Sequence, residues 1–168
     1  LLDLGETGRA LAGTRRLTES APGYVPGHAM LAHILWENGA ALAPGEDPIA
    51  TFRAAVEAQP ANRELGKAFV SFLLDAGAAE EALRQARVLR AVADEPVLMA
   101  DEALALEMLE RSDEAGRLFA HAHATLRMDA GFLNFYVRHL LRAGQPEAAA
   151  ARALEALERE PDNQPAFA

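Results

Sequence analysis

The sequence predicts an all-α protein, an α-solenoid of antiparallel helix pairs, on three observations. The first is punctuation. Gly5, Gly39, Gly77 and Gly144 recur at near-multiples of 34 residues, and Glu110 stands where a further glycine belongs, which makes the intervals 34, 38, 33 and 34. A period in this range marks stacked supersecondary units. The second is apolar spacing on either side of a punctuation point: Leu65, Phe69, Phe72, Leu73 and Ala76 share one helical face before Gly77, and Ala82, Leu83, Ala86 and Leu89 share another after it. The third is boundary chemistry. A glycine follows the last periodic residue, where a left-handed C-cap needs no side chain, and prolines sit in first turns, where a missing N–H costs nothing.

Taken in order, helices are expected over residues 7–20, 26–38, 47–58, 62–76, 79–93, 97–109, 113–127, 130–143 and 146–160. Gly5 precedes the first, and Pro22 stops it. Gly39 closes the second. Asp47 and Pro48 open the third, Gly77 closes the fourth, Pro96 follows the fifth, Ser112 is the expected N-cap of the seventh, and Gly144 separates the last two. The second helix of each pair has a small residue near its start, at Ala10, Ala82, Ala115 and Ala149, which allows close helix packing. Gly39 to Pro60 is 21 residues, where Gly5 to Pro22 and Gly144 to Pro161 are each 17, so four extra residues are expected as a longer turn within 40–46.

A chain of 168 residues can bury roughly 70% of its unfolded surface, enough for a stable domain. The formal charge of −9 has the wrong sign for a phosphate track or an anionic lipid surface, so neither nucleic acid nor membrane is an expected partner. The absence of cysteine excludes disulfides and thiol chemistry, and no apolar run approaches the ~18 residues of a membrane helix. The chain reads as soluble and cytoplasmic. Fifteen of its 16 basic residues are arginine, with Lys67 the exception, a bias that accompanies GC-rich bacterial genomes. It begins at Leu1, in mid-unit and without methionine, and residues 164–168 look like the opening of another first helix, which reads as an excerpt of a longer protein.

These residues resemble the tetratricopeptide repeat. The match is strongest over 130–163, through Gly144, Ala149, Ala156, Leu157, Pro161 and Asn163; residues 62–96 match through Gly77, Ala82 and Leu89, and residues 1–22 through Gly5, Ala10 and Pro22. Two departures are Glu110 at the turn and Met99 or Gly66 where the family often has an aromatic. The resemblance covers the whole chain as a single domain, with approximate units 1–24 (partial), 25–62, 63–95, 96–129, 130–163 and 164–168 (partial). It implies a right-handed superhelix with a concave groove lined by the first helix of each pair.

Removing the packed face from each first helix leaves a stripe in fixed register. The stripes are Ala29, His33, Trp36 and Glu37; Lys67, Ser71, Leu74 and Asp75; Ala100, Leu104, Glu107 and Met108; and Asn134, Arg138, Leu141 and Arg142. They run from aromatic and mixed charge, through an apolar middle at Leu74, Leu104 and Met108, to a basic end at Arg138 and Arg142. The expected partner is a protein or peptide, extended or helical, that places an acidic group at the arginines. Two alternatives stay open. Arg138 and Arg142 solvate an exposed helix while the apolar residues pack against neighbours, and Trp36 is either a binding anchor or core. Lys67, Asn134 and Arg138 supply only scattered pieces of the lysine–asparagine clamp that some family members use on a peptide carboxylate.

Chemistry finds little support. His33 and Glu37 offer two metal ligands at i, i+4, and two do not make a site; His121 and His123 point to different sides, and His28 and His139 lack near carboxylates in sequence. The pairs Glu80-Glu81, Asp101-Glu102 and Asp113-Glu114 read as helix N-terminal charge. No phosphate loop, nucleophile elbow or zinc spacing is present. No catalytic residue, cofactor or metal is therefore expected in this segment. The leading reading is a protein-interaction scaffold. The alternative is the non-catalytic substrate-recognition or dimerisation region of a larger bacterial enzyme, such as a sulfotransferase, a glycosyltransferase or an iron and 2-oxoglutarate oxygenase. A homo-oligomer through exposed repeat ends, with Leu1, Leu2, Leu4 and Phe167 as candidates, is a further expectation.

Overall fold

A computed structural model describes residues 4–125 and 130–159, which form nine helices and no strand. They are α1 (Leu4–Ser20), α2 (Val25–Leu42), α3 (Pro48–Ala58), α4 (Arg63–Asp75), α5 (Ala79–Arg90), α6 (Pro96–Met108), α7 (Ser112–Thr125), α8 (Ala130–Arg142) and α9 (Pro146–Arg159). Leu1, Leu2, Phe167 and the motif residues Pro161 and Asn163 lie outside the described residues, as do the side chain of Leu4 and the expected helix ends at 126–127 and 160.

Local chemistry sets most boundaries. The Asp47 carboxylate accepts from Ile49 N at 2.9 Å ahead of Pro48, and the Asn62 side chain accepts from Leu65 N at 3.1 Å, so α3 and α4 each start with an orphan donor satisfied. Three helices end in the same motif. Gly77, Glu110 and Gly144 have φ of 75°, 60° and 68°. Their N–H groups bond back to Leu74, Glu107 and Leu141, and the following N–H groups reach Leu73, Leu106 and Leu140 at 2.8, 2.9 and 2.9 Å. This is the paired pattern of a Schellman cap. The period read from sequence therefore marks real turns at 77, 110 and 144.

It misplaces two others. Gly39 is buried inside α2, which continues to Leu42, and the left-handed residue in this connection is Gly45, with φ of 89°. Most of the four-residue insertion is thus an extra helical turn rather than a longer loop, because four residues nearly complete one 3.6-residue turn and keep the same face inward. Gly5 likewise lies within α1. Ser112 is the first residue of α7, one place later than a cap. Ala82, Ala115 and Ala149 are buried as the packing rule requires, while Ala10 is exposed.

The chain divides into two compact units, Leu1–Gln85 and Ala86–Ala168. In the first, Phe52, Leu65, Phe69, Phe72 and Leu73 are sealed from solvent, and Leu11, Leu31, Leu35 and Ala43 form a second cluster between α1 and α2. In the second unit Leu98, Met99, Leu106, Phe119 and Leu133 are sealed, with Val137, Leu140 and Ala149 packed between α8 and α9. Each large side chain buried this way contributes about 1.5–3 kcal/mol relative to exposure.

Candidate functional site

In the first unit the expected stripe lies on α2 and α4, which pack against each other. Phe72 of α4 is the hinge of this arrangement. Its ring is buried against Phe52, with centroids 5.7 Å apart, and it receives His33 and Trp36 of α2 edge-on, at 5.3 and 6.4 Å. Trp36 touches the core through Phe72 and leaves 51% of its surface open, so it is neither core nor fully free. His33, Glu37, Ser71 and Asp75 are exposed beside it, and Leu74 is half-buried. Lys67 is not a free cation, because its ammonium lies 2.5 Å from the Glu64 carboxylate.

In the second unit the stripe lies on α6 and α8. Met108 and Leu141 are 46% and 56% exposed, and Leu104 is half-buried. The Arg138 guanidinium sits 4.9 Å above the Phe135 ring and is exposed to solvent. Asn134 has a buried Oδ1 with no hydrogen-bond partner. Glu107, placed on the open stripe by its register, is instead packed inward with 8% of its side chain exposed. Its carboxylate takes His139 Nδ1 at 2.5 Å on one oxygen and an ion pair from Arg142 on the other. His139 is itself 5% exposed, with Phe119 and Tyr136 at 5.2 and 6.4 Å from its ring. The carboxylate partner of His139 lies 32 residues away, and a search for nearby charges in sequence does not find it. The basic end is therefore half-neutralised: Arg142 answers Glu107, and Arg138 is left facing outward.

Register makes the two units comparable. Trp36 and Glu107 are equivalent, separated by intervals of 38 and 33, and Phe72 and His139 are equivalent, separated by 33 and 34. The same inter-helix position is filled by an aromatic pair in one unit and by a carboxylate–imidazole pair in the other. The first leaves an apolar ring at the surface. The second hides a charge.

Other charged groups are also paired within the fold. Glu102 lies in mid-helix α6 rather than at an N-terminus, is 5% exposed, and receives Arg87 Nε at 2.8 Å together with Arg90. Arg87, Glu102, Leu106, Glu114, Arg117, Leu118 and His121 line an open cavity of about 260 Å³. Arg53 grips Glu81 with two bonds of 2.8 Å, and that hydrogen bonding holds the Glu81 carboxyl below its ordinary range. Burial pushes the Glu155 carboxyl up, but the His123 hydrogen bond and the charges of His123, Arg159 and Arg152 outweigh it, and the net shift is downward. Among the described residues no three His, Asp or Glu side chains gather as metal ligands, and no helix is long and apolar enough to cross a membrane.

The sequence matches no protein-family model and no curated protein. Solved structures do match. A thermophilic tetratricopeptide-repeat protein of Thermus thermophilus, TTC0263, superposes with a TM-score of 0.72 and 18% identity over 97% of this chain and 88% of its own. MamA of Desulfovibrio magneticus RS-1, from residue 41 onward, gives 0.66 and 14% over 95% and 89%. YrrB, a tetratricopeptide-repeat protein with an unusual peptide-binding site, gives 0.62 and 16% over 98% and 83%. At these identities the likeness is one of fold. The fold is the all-α tetratricopeptide-repeat solenoid.

Proposed function

We propose, from the tetratricopeptide-repeat fold shared with these proteins, that the chain is a protein-interaction scaffold. Its binding surfaces are the exposed faces of the first helices, α2 with α4 in one unit and α6 with α8 in the other. One observation carries the reading: at the stripe positions Trp36, Met108 and Leu141 remain 51%, 46% and 56% exposed, while Phe72, Leu106 and Leu140 beside them are buried. Large apolar side chains held half-open on a rigid, packed helix cost little entropy to bind and supply the anchors that interfaces concentrate. The partner is an extended peptide or a partner helix. In the first unit it covers His33, Trp36, Glu37, Lys67, Ser71 and Leu74; in the second it covers Leu104, Met108, Asn134, Leu141 and Arg142, with an acidic group over Arg138.

The test is a peptide library bound to the wild type, to Trp36→Ala, to Met108→Ser with Leu141→Ser, and to Arg138→Glu. Peptides that select the wild type are expected to lose about tenfold or more in affinity with either apolar variant, equivalent to about 1.4 kcal/mol. Acidic peptides alone are expected to respond to Arg138→Glu. Binding that survives all three variants unchanged places the partner elsewhere and overturns the assignment.

A further inference from the structure

We infer that the α2–α4 face takes a cationic side chain, an arginine or lysine of a peptide segment, with the Trp36 ring beneath it and the carboxylates of Glu37 and Asp75 beside it. The inference rests on the scaffold reading and gives its first-unit surface a partner chemistry. Glu37 and Asp75 occupy the same register on successive first helices, 38 residues apart, and Phe72 brings the two stripes together by touching both His33 and Trp36. Both carboxylates are exposed. Helix α2 has no lysine or arginine anywhere in Val25–Leu42, and the Lys67 ammonium on α4 is engaged by Glu64, one turn away from Ser71. A half-open indole ring, on a face whose two stripes also carry the exposed carboxylates of Glu37 and Asp75, suits a guanidinium on two counts, the ring quadrupole and charge. A glutamate or phosphate partner meets repulsion at the same place. The chain's net charge of −9 adds a long-range pull on a basic segment without fixing where it lands.

Trp36 is the single tryptophan of the chain, so its fluorescence reports this site directly. The probes are three capped hexapeptides in which alanine alternates with arginine, with citrulline or with glutamate. Citrulline keeps the shape of arginine and removes the charge. The arginine peptide is expected to change Trp36 emission saturably, at least about tenfold tighter than the citrulline peptide, and the glutamate peptide to leave it unchanged. Glu37→Gln with Asp75→Asn is expected to weaken the arginine peptide about tenfold. Glu19→Gln with Glu147→Gln makes the same change in net charge at exposed positions on α1 and α9 and is expected to leave binding intact. Far-UV ellipticity identical to wild type keeps the site variant interpretable. Equal binding of the citrulline peptide, or an equal loss in the two double variants, overturns the cationic assignment while the scaffold reading stands. If neither these peptides nor any member of the library perturbs Trp36, both fail at this surface.

Discussion

Glu110 is the described non-glycine residue with a left-handed backbone, at φ of 60°. An L-residue with a Cβ pays about 1–2 kcal/mol for that conformation. It is held there by the two back-bonds of the helix cap, Glu110 N to Glu107 O at 3.0 Å and Arg111 N to Leu106 O at 2.9 Å, which Gly77 and Gly144 make in the equivalent turns without strain. Glu110→Gly is therefore expected to raise stability by about 0.5–1 kcal/mol, the gain being trimmed by the extra freedom of glycine in the unfolded chain. Urea denaturation checks it, and a lower midpoint in the variant would contradict the strain argument. The spacing of glycines exposes the gap at 110, yet a gap alone does not say whether the turn survives. It survives because the cap rewards backbone hydrogen bonds, which any residue can make, whereas the side chain only sets the cost.

At the scale of helices, what the sequence tells depends on how local the signal is. Starts at Asp47–Pro48 and Asn62 and ends at Gly77 and Gly144 are decided by one or two adjacent residues, and the structure agrees with them. Gly39 is ambiguous by the same local rules. A glycine caps a helix when the chain must reverse there, but Gly39 is buried within a helix that runs one turn further. Gly116 shows a third use that no local pattern reveals. It lies in mid-α7, and a Cβ added to it would stand 2.8 Å from His139 Nε2 of α8. His139 has little room to give, since Glu107 fixes its other nitrogen and Phe119 and Tyr136 face its ring. Helix propensity alone makes Gly116→Ala stabilising by up to ~1 kcal/mol. Overpacking of about 1–3 kcal/mol is expected to win and make it destabilising. The same substitution in a His139→Ala background, where the ring is gone, is expected to regain the stabilising sign. A double-mutant cycle by urea unfolding measures both signs, and a stabilising Gly116→Ala in the wild type would show that the ring moves freely.

For the molecule as a whole, register separates the packed Phe72, Leu106 and Leu140 from the open Trp36, Met108 and Leu141. It misplaces Ala100, which is expected on the open stripe and is 4% exposed because so small a side chain is covered by its neighbours. It fails at Glu107 because burial of a charge depends on partners brought in from another helix, His139 and Arg142, and those are 32 and 35 residues distant. The chain divides into two compact units, and this bears on how it unfolds. Phe119 is sealed in the second unit against Phe132, Tyr136 and His139, with ring centroids 5.5, 5.3 and 5.2 Å away. Phe119→Ala is expected to cost about 3–5 kcal/mol, a large part of the 5–15 kcal/mol typical of a whole domain. In repeat folds stability is a sum of local terms and nearest-neighbour terms, so a lesion of that size need not spread evenly. Trp36 reports the first unit alone. In the variant, far-UV ellipticity is expected to fall in two steps along a urea gradient, with Trp36 emission following only the second and its midpoint shifted far less than that of the first. Coincident transitions by both probes would mean that the two units unfold as one cooperative block, and the division would then be one of contacts without being one of energy.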